Sequence, residues 1–236
     1  MLLAAGEGKR LRPLTEDLPK PMLRIGGRPV LEYNVRLMAQ FGIRDLVINL
    51  HHCPKAITDY FGNGERWGVS ITYSYEPELV GTAGAVRRVA HLFQGSFLVM
   101  YGDNITTCNL ARMFAFHRDK GGVGTIAVYR REDVTTSGMV QVDGSGRIIS
   151  FREKPRPEEI FSHWVNAGVL VLEPRVMDHI PAGQFADFGN DILPNLIELG
   201  IPIFGYPMSE QLWWLDSLSD YEKLQSLVEQ GEVELP

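Results

Sequence analysis

Residues 3–23 read LAAGEGKRLRPLTEDLPKPML, a short apolar strand that runs straight into a glycine-rich, strongly basic loop. From Glu7 to Arg28 there are six basic residues (Lys9, Arg10, Arg12, Lys20, Arg24, Arg28) and three acidic ones (Glu7, Glu16, Asp17), a local excess of three positive charges in a chain of net charge −6. Glycine lets a backbone approach a ligand closely, and Arg and Lys bind phosphate well. A cationic glycine loop at the end of a first strand is where an α/β protein holds a multiply charged phosphate ligand.

Two familiar phosphate loops do not fit. Gly6-Glu7-Gly8-Lys9-Arg10-Leu11 begins like the dinucleotide fingerprint but has Leu11 where the third glycine belongs. A Walker A loop needs glycine at the position of Leu3 and Ser or Thr at the position of Arg10. The stretch from Gly6 to Pro19 is also long, as expected of a loop that wraps its ligand.

Outward from the loop, short apolar runs alternate with helical patterns. Leu2–Ala5, Leu46–Leu50, Val69–Tyr75, Phe97–Tyr101, Gly124–Tyr129 and Val165–Leu172 read as strands. A helix is predicted from Pro29, with Val30, Leu31, Val35, Met38 and Phe41 on one face and Gly42 as its stop. Thr82 to Leu92, Leu110 to Arg118, Gly189 to Leu199 and Leu218 to Gln230 read as further helices. Alternation in the first half predicts a mostly parallel sheet covered on both faces. After about residue 123 strands follow one another, and Asp143-Gly144-Ser145-Gly146 signals a hairpin, so an antiparallel addition is expected.

The bulk composition narrows the function. With 236 residues, 44% hydrophobic and 22% charged, the chain can bury one sizeable core, and a single domain is expected. Its acidic balance leaves no domain-wide basic face for a nucleic acid. No apolar stretch reaches the roughly 20 residues a membrane helix needs, and Met1 to Gly6 lacks the features of a signal peptide. A cytoplasmic protein is expected. Cys53 and Cys108 show no CxxC spacing and read as buried free thiols. His51-His52 could suggest a metal pair, but adjacent side chains in a strand point to opposite faces.

LAAGEGKRLRPLTEDLPKPML closely resembles the signature of the sugar-1-phosphate nucleotidyltransferases. Further family-like blocks follow in the expected order: EPELVGTAGAVRR (76–88), YGDN (101–104), FREKP (151–155), NAGVLVLEP (166–174) and WLD (214–216). The resemblance covers essentially the whole chain. It implies an α/β, single-domain glycosyltransferase-A-like (Rossmann-like) fold over residues 1–236. The central sheet would be mixed, mostly parallel and flanked by helices. Residues 1–122 would mainly serve the nucleotide and 123–236 mainly the sugar phosphate. The implied reaction is NTP + sugar 1-phosphate → NDP-sugar + pyrophosphate, with NTP and sugar 1-phosphate as partners and Mg²⁺ as cofactor. A homo-oligomer is left open.

The residue chemistry agrees with that reaction. A sugar phosphate, with a second pKa near ~6, is mostly a dianion at neutral pH and can attack phosphorus without a general base. The chain accordingly shows no Ser/His/Asp or Cys/His constellation. Repulsion is the larger obstacle, because two unit charges ~4 Å apart at an effective dielectric of ~20 repel by roughly 4 kcal/mol. Positioned cations and a metal site are therefore expected.

Arg10 and Lys20, the latter on a stiff Pro-Lys-Pro turn, are the expected phosphate cations, with Arg12 less decided. Asp103 and Asp216 each follow an apolar run and are the expected metal carboxylates. By resemblance, Lys154 contacts the sugar phosphate and is grouped with Arg10 and Lys20 as catalytic. Asn104, Gly138, Glu153 and Asn166 would serve the sugar, and Leu3, Ala4, Ala5, Gly6, Gly8, Lys9, Gly81, Thr82 and Gly84 the nucleotide.

Departures from the family pattern matter too. Lys9 stands where the family usually has Thr, which would add charge beside the phosphates. Asn190 stands where many members have Glu, and no role is carried over to it. The first strand is shorter than usual, so a trimmed start is expected. The C-terminal β-helix of larger relatives has no counterpart, so no acetyl transfer is expected. GTAGA leans towards the mannose-1-phosphate guanylyltransferase-like branch. Uridylyl or thymidylyl transfer to glucose 1-phosphate, and a catalytically silent sugar-nucleotide-binding subunit, are the alternatives.

Overall fold

The computed structural model describes residues 1–236. Its strands are β1 (Leu2–Leu3), β2 (Arg24–Ile25), β3 (Arg28–Pro29), β4 (Asp45–Leu50), β5 (Ser70–Tyr75), β6 (Phe97–Tyr101) and β7 (Ile105–Thr106). They continue with β8 (Gly124–Arg130), β9 (Gly138–Val142), β10 (Ile148–Glu153), β11 (Trp164–Leu172), β12 (Ile203–Pro207) and β13 (Leu212–Trp213). The α-helices are α1 (Val30–Gln40), α2 (Pro54–Phe61), α3 (Gly81–Arg88), α4 (Leu110–Lys120), α5 (Leu193–Glu198) and α6 (Leu218–Glu229). No helix is long and apolar enough to cross a membrane. Two compact units emerge, and they interleave along the chain: residues 1–79, 100–108 and 210–236 form the first, residues 80–99 and 109–209 the second.

In the first unit the apolar runs pair in parallel. β4 pairs with β5 over six positions, and Leu2 of β1 lies between Ile48 and Met100, with Leu3 beside Tyr101. All ladder strands here point the same way, so the chain leaves β1 and β6 at the same edge of the sheet, where open α/β sheets bind ligands. Gly102 lets these two strand ends lie close. Its N–H donates to the Leu3 carbonyl at 2.9 Å, and a Cβ there would sit 2.9 Å from Leu31 and 3.0 Å from that carbonyl oxygen.

The C-terminal segment returns to the same unit. β13 pairs antiparallel with β7, Leu212 opposite Thr106 and Trp213 opposite Ile105. Leu215 is fully buried in a cluster with Ile25, Val30, Tyr33, Ile105 and Leu224. Ser217 then caps α6, its side chain accepting from the Asp220 N–H while Asp220 reaches back to the Ser217 N–H, a capping box. Asp216 is thus held between a buried leucine and a helix cap.

The second unit carries the antiparallel addition. β11 pairs antiparallel with β8 and β9, and β9 with β10 through the anticipated hairpin, while β12 runs parallel to β8. Asp143 closes that turn by accepting from Ser145 and Arg147 N–H groups. The architecture is the expected mixed α/β fold: parallel ladders and flanking helices, with antiparallel pairs among residues 124–172 and in two small ribbons.

Two sequence expectations need correction. The helix predicted from Gly189 to Leu199 is a π turn, Phe188–Ile192, followed by α5, in which Pro194 sits in the first turn. Proline lacks the N–H that a continuous α-helix would need there. Cys108 is buried, and burial pushes its thiol up to about 12, but Cys53 is only half-buried.

Candidate active site

In the first unit the site begins where β1 ends. The Ala4 N–H donates to Asn49 Oδ1 at 2.7 Å, and Ala4 and Ala5 are buried, so the loop leaves the sheet from a fixed point. A Cβ on Gly6 would meet nothing, which leaves that stretch of backbone open to approach. Gly8 has φ +63, and a Cβ there would lie 2.9 Å from Lys20 Cβ and 3.0 Å from Thr15 Cγ2. Only glycine combines that left-handed backbone with that contact. The next turn, Lys9–Leu11, carries Arg10 outward, its side chain 58% exposed.

Lys20 is the centre of the cluster. Its side chain is only 9% exposed, and its Nζ lies 2.6 Å from Asp103 Oδ2 and 3.8 Å from Asp216 Oδ1. Arg10 Nη2 is 3.6 Å from the same Asp216 oxygen. Four residues expected from three distant blocks therefore stand together. Both carboxylates are aimed at one cation, with oxygen donors of the hard kind that Mg²⁺ prefers. No group of three or more His, Cys, Asp or Glu forms a metal cage, and a two-carboxylate site fits an ion that also takes substrate phosphates.

The neighbours of this cluster differ in part from expectation. Lys9 pairs with Glu7 at 2.6 Å, so its added charge is largely offset locally; the hydrogen bond from Lys9 holds the Glu7 carboxyl below its ordinary value. Asn104 is tied by its backbone, its carbonyl accepting from Asn34 Nδ2 at 2.9 Å, while its Oδ1 is buried without a hydrogen-bond partner. His51 and His52 bond different carbonyls, those of Glu76 and Thr15.

In the second unit, antiparallel register places Gly138 directly opposite Glu153. A Cβ on Gly138 would lie 2.7 Å from Glu153 Oε2, and one on Gly189 would lie 2.5 Å from it. The carboxylate is held between two bare backbones. Burial raises its pKa, Lys154 opposes the shift and Asp187 adds to it. Lys154 itself has φ +44, a left-handed backbone costing a non-glycine residue roughly 1–2 kcal/mol. Such strain clusters at functional positions. Its Nζ is 3.9 Å from Glu153 Oε1 and its side chain is 59% exposed. Asn166 sits where the β11 register shifts, and its Oδ1 accepts from the Gly168 N–H at 2.9 Å.

Gly81, Thr82 and Gly84 open α3. Gly81 has φ +79, and a Cβ on it would fall 2.3 Å from the Ala186 carbonyl oxygen, which accepts from both Ala83 and Gly84 N–H groups. The Thr82 hydroxyl is already engaged, donating to Asp187 Oδ2 at 2.7 Å and accepting from the Phe188 N–H at 2.8 Å. Asn49, Thr15, Gly102, Asp187 and Gly189 went unread in the sequence. Contacts such as Asn49 with Ala4 and Glu76, Gly102 with Leu3, and Asp187 with Thr82 join residues far apart in the chain, and no local spacing announces them.

The half-buried charge on Glu153 has a measurable consequence. A carboxyl whose pKa is raised by folding ionises more readily in the unfolded chain, so at neutral pH its charge opposes folding. That cost disappears as pH falls through the carboxylate range. Glu153→Gln is expected to raise the Tm at pH 7, with the gain shrinking towards acid pH in calorimetry. An unchanged or lower Tm at pH 7 would contradict this reading of the carboxylate.

Comparison with known proteins places the chain in a family. The family model for nucleotidyl transferases matches residues 1–230. The chain is 36% identical over 230 residues to a UTP–glucose-1-phosphate uridylyltransferase of Synechocystis sp., covering 92% of this chain and 59% of the relative. It is 33% identical over 218 residues to the mannose-1-phosphate guanylyltransferase of Mycobacterium tuberculosis, covering 92% and 60%. The chain thus spans about three fifths of the length of these curated relatives. Among solved structures, a UDP-glucose pyrophosphorylase complexed with UDP-glucose superposes with TM-score 0.84 at 19% identity, over 98% of this chain and 97% of that one. HddC from Yersinia pseudotuberculosis complexed with GMP-PN gives TM-score 0.81 at 22% identity, over 96% and 97%. At those identities the likeness is one of fold.

Proposed function

Because the chain belongs to the nucleotidyltransferase family, whose curated relatives are sugar-1-phosphate nucleotidyltransferases, we propose that it joins an NTP to a hexose 1-phosphate, giving NDP-hexose and pyrophosphate. The observation that carries this reading is Lys20 set between Asp103 and Asp216, with Arg10 on the same Asp216. It gathers two cations and two carboxylates at one sheet edge, the pairing that phosphate and metal binding would need.

In the first unit, Arg10 and Lys20 bind the phosphates of the nucleotide, and Gly6 and Gly8 let the loop backbone come close to them. Asp103 and Asp216 would hold Mg²⁺, which when bound offsets negative charge on the phosphates. In the second unit, Lys154 binds the sugar phosphate, while Glu153, Asn166 and Gly138 orient the sugar. A phosphate oxygen of the sugar phosphate bonds to the α-phosphorus, the bond from that phosphorus to the bridging oxygen breaks, and pyrophosphate leaves with the electron pair. No proton need be removed from the attacking dianion, so these residues act by placement and by screening charge.

Two substrate pairs have support. The GTAGA block at 81–85 and the guanylyltransferase relative favour GTP with mannose 1-phosphate; the uridylyltransferase relative favours UTP with glucose 1-phosphate. A screen of four NTPs against several hexose 1-phosphates, read by pyrophosphate release, separates them. A chain that binds NDP-sugar in calorimetry yet releases no pyrophosphate with any pair would instead be a silent binding subunit.

A further inference from the structure

The end of β4 fastens the phosphate loop at two points. Asn49, its penultimate residue, is buried and accepts from the Ala4 N–H where the loop departs. Asn49 is fixed in turn, because its Nδ2 donates to Glu76 Oε1 at 2.8 Å. Three residues further on, His52 Nε2 lies 3.0 Å from the carbonyl oxygen of Thr15, on the loop's returning limb. A carbonyl only accepts, so Nε2 carries the proton there. Cys53, next in the chain, has φ +45 and leads directly into α2 at Pro54.

Thr15 passes this restraint to the working part of the loop. It is 1% exposed, and its hydroxyl donates at 2.8 Å to the Gly8 carbonyl, which also accepts from the Leu11 N–H at 2.9 Å. Gly8 begins the turn that carries Arg10 and packs against Lys20. We propose that His52 is a positioning residue that holds the phosphate loop in its nucleotide-binding shape through Thr15 and Gly8. It touches no substrate itself. Its kinetic consequence rests on the nucleotidyltransferase reading, whereas its effect on the loop does not.

The test uses a matched pair, His52→Gln, whose amide can donate to the Thr15 carbonyl, and His52→Met, which cannot. In hydrogen exchange on the unliganded protein, amides of residues 6–14 should exchange about fivefold to tenfold faster in the Met variant, the effect of losing one hydrogen bond. The NTP KM should rise by a similar factor while the KM for sugar 1-phosphate stays unchanged, and the Gln variant should remain within about twofold of wild type. Equal loop exchange in both variants, or equal rises in both KM values, would overturn the proposal. Absence of turnover in the wild type would sink the proposed reaction and leave the exchange result to decide the loop.

Discussion

Asp103→Asn is expected to lower kcat by at least about a hundredfold, the scale seen when one group aimed at developing charge is removed. Asn keeps an oxygen that can accept from Lys20, and Asp103 is about one-third exposed, so stability should change by no more than about 1 kcal/mol. What Asn lacks is the negative charge that, with Asp216, suits a divalent cation. The Mg²⁺ concentration needed for half-maximal rate should therefore rise. Steady-state kinetics with circular dichroism on the same preparation checks both halves. Wild-type kcat in a folded Asn variant would remove Asp103 from the proposed metal site.

Lys20→Met should reduce kcat/KM for the nucleotide by about 10²–10³-fold, because the most deeply buried cation of the cluster is lost from the proposed phosphate site. It should also leave a signature apart from turnover. Lys20 Nζ lies within 4 Å of both carboxylates, where its charge would compete with a divalent cation for Asp103 and Asp216. Without it, Mg²⁺ alone should bind more tightly in calorimetry and raise Tm more than it does in the wild type. Weaker Mg²⁺ binding in Lys20→Met would mean that lysine organises the carboxylates and does not compete for them.

Much of this was legible in the chain itself. The buried parallel strands β4 and β6 are marked by short apolar runs, and the hairpin of β9 and β10 is announced by Asp143-Gly144-Ser145-Gly146. The cluster of Arg10, Lys20, Asp103 and Asp216 was nameable, but only family resemblance joined its blocks. The physical link between the Asp103 and Asp216 segments is the ribbon of β7 and β13, two residues each, too short for any periodicity to show. Helix α2 escaped because only Ile57 and Phe61 are buried along it, one pair at i and i+4. The interleaving of the two units is likewise invisible in local pattern, since residues 100–108 and 210–236 join residues 1–79 through long-range contacts. Thr15, Asn49 and Asp187 hold the site by hydrogen bonds that a folded chain alone reveals.

In the proposed reaction the sugar phosphate attacks the α-phosphorus of the nucleotide and displaces pyrophosphate. Hexose 1-phosphate carrying ¹⁸O in its phosphate oxygens, incubated with NTP and Mg²⁺ and followed by mass spectrometry, tests it most directly. All label should appear in the NDP-hexose and none in the pyrophosphate. Label in the pyrophosphate, or no NDP-hexose with any nucleotide, would contradict the account.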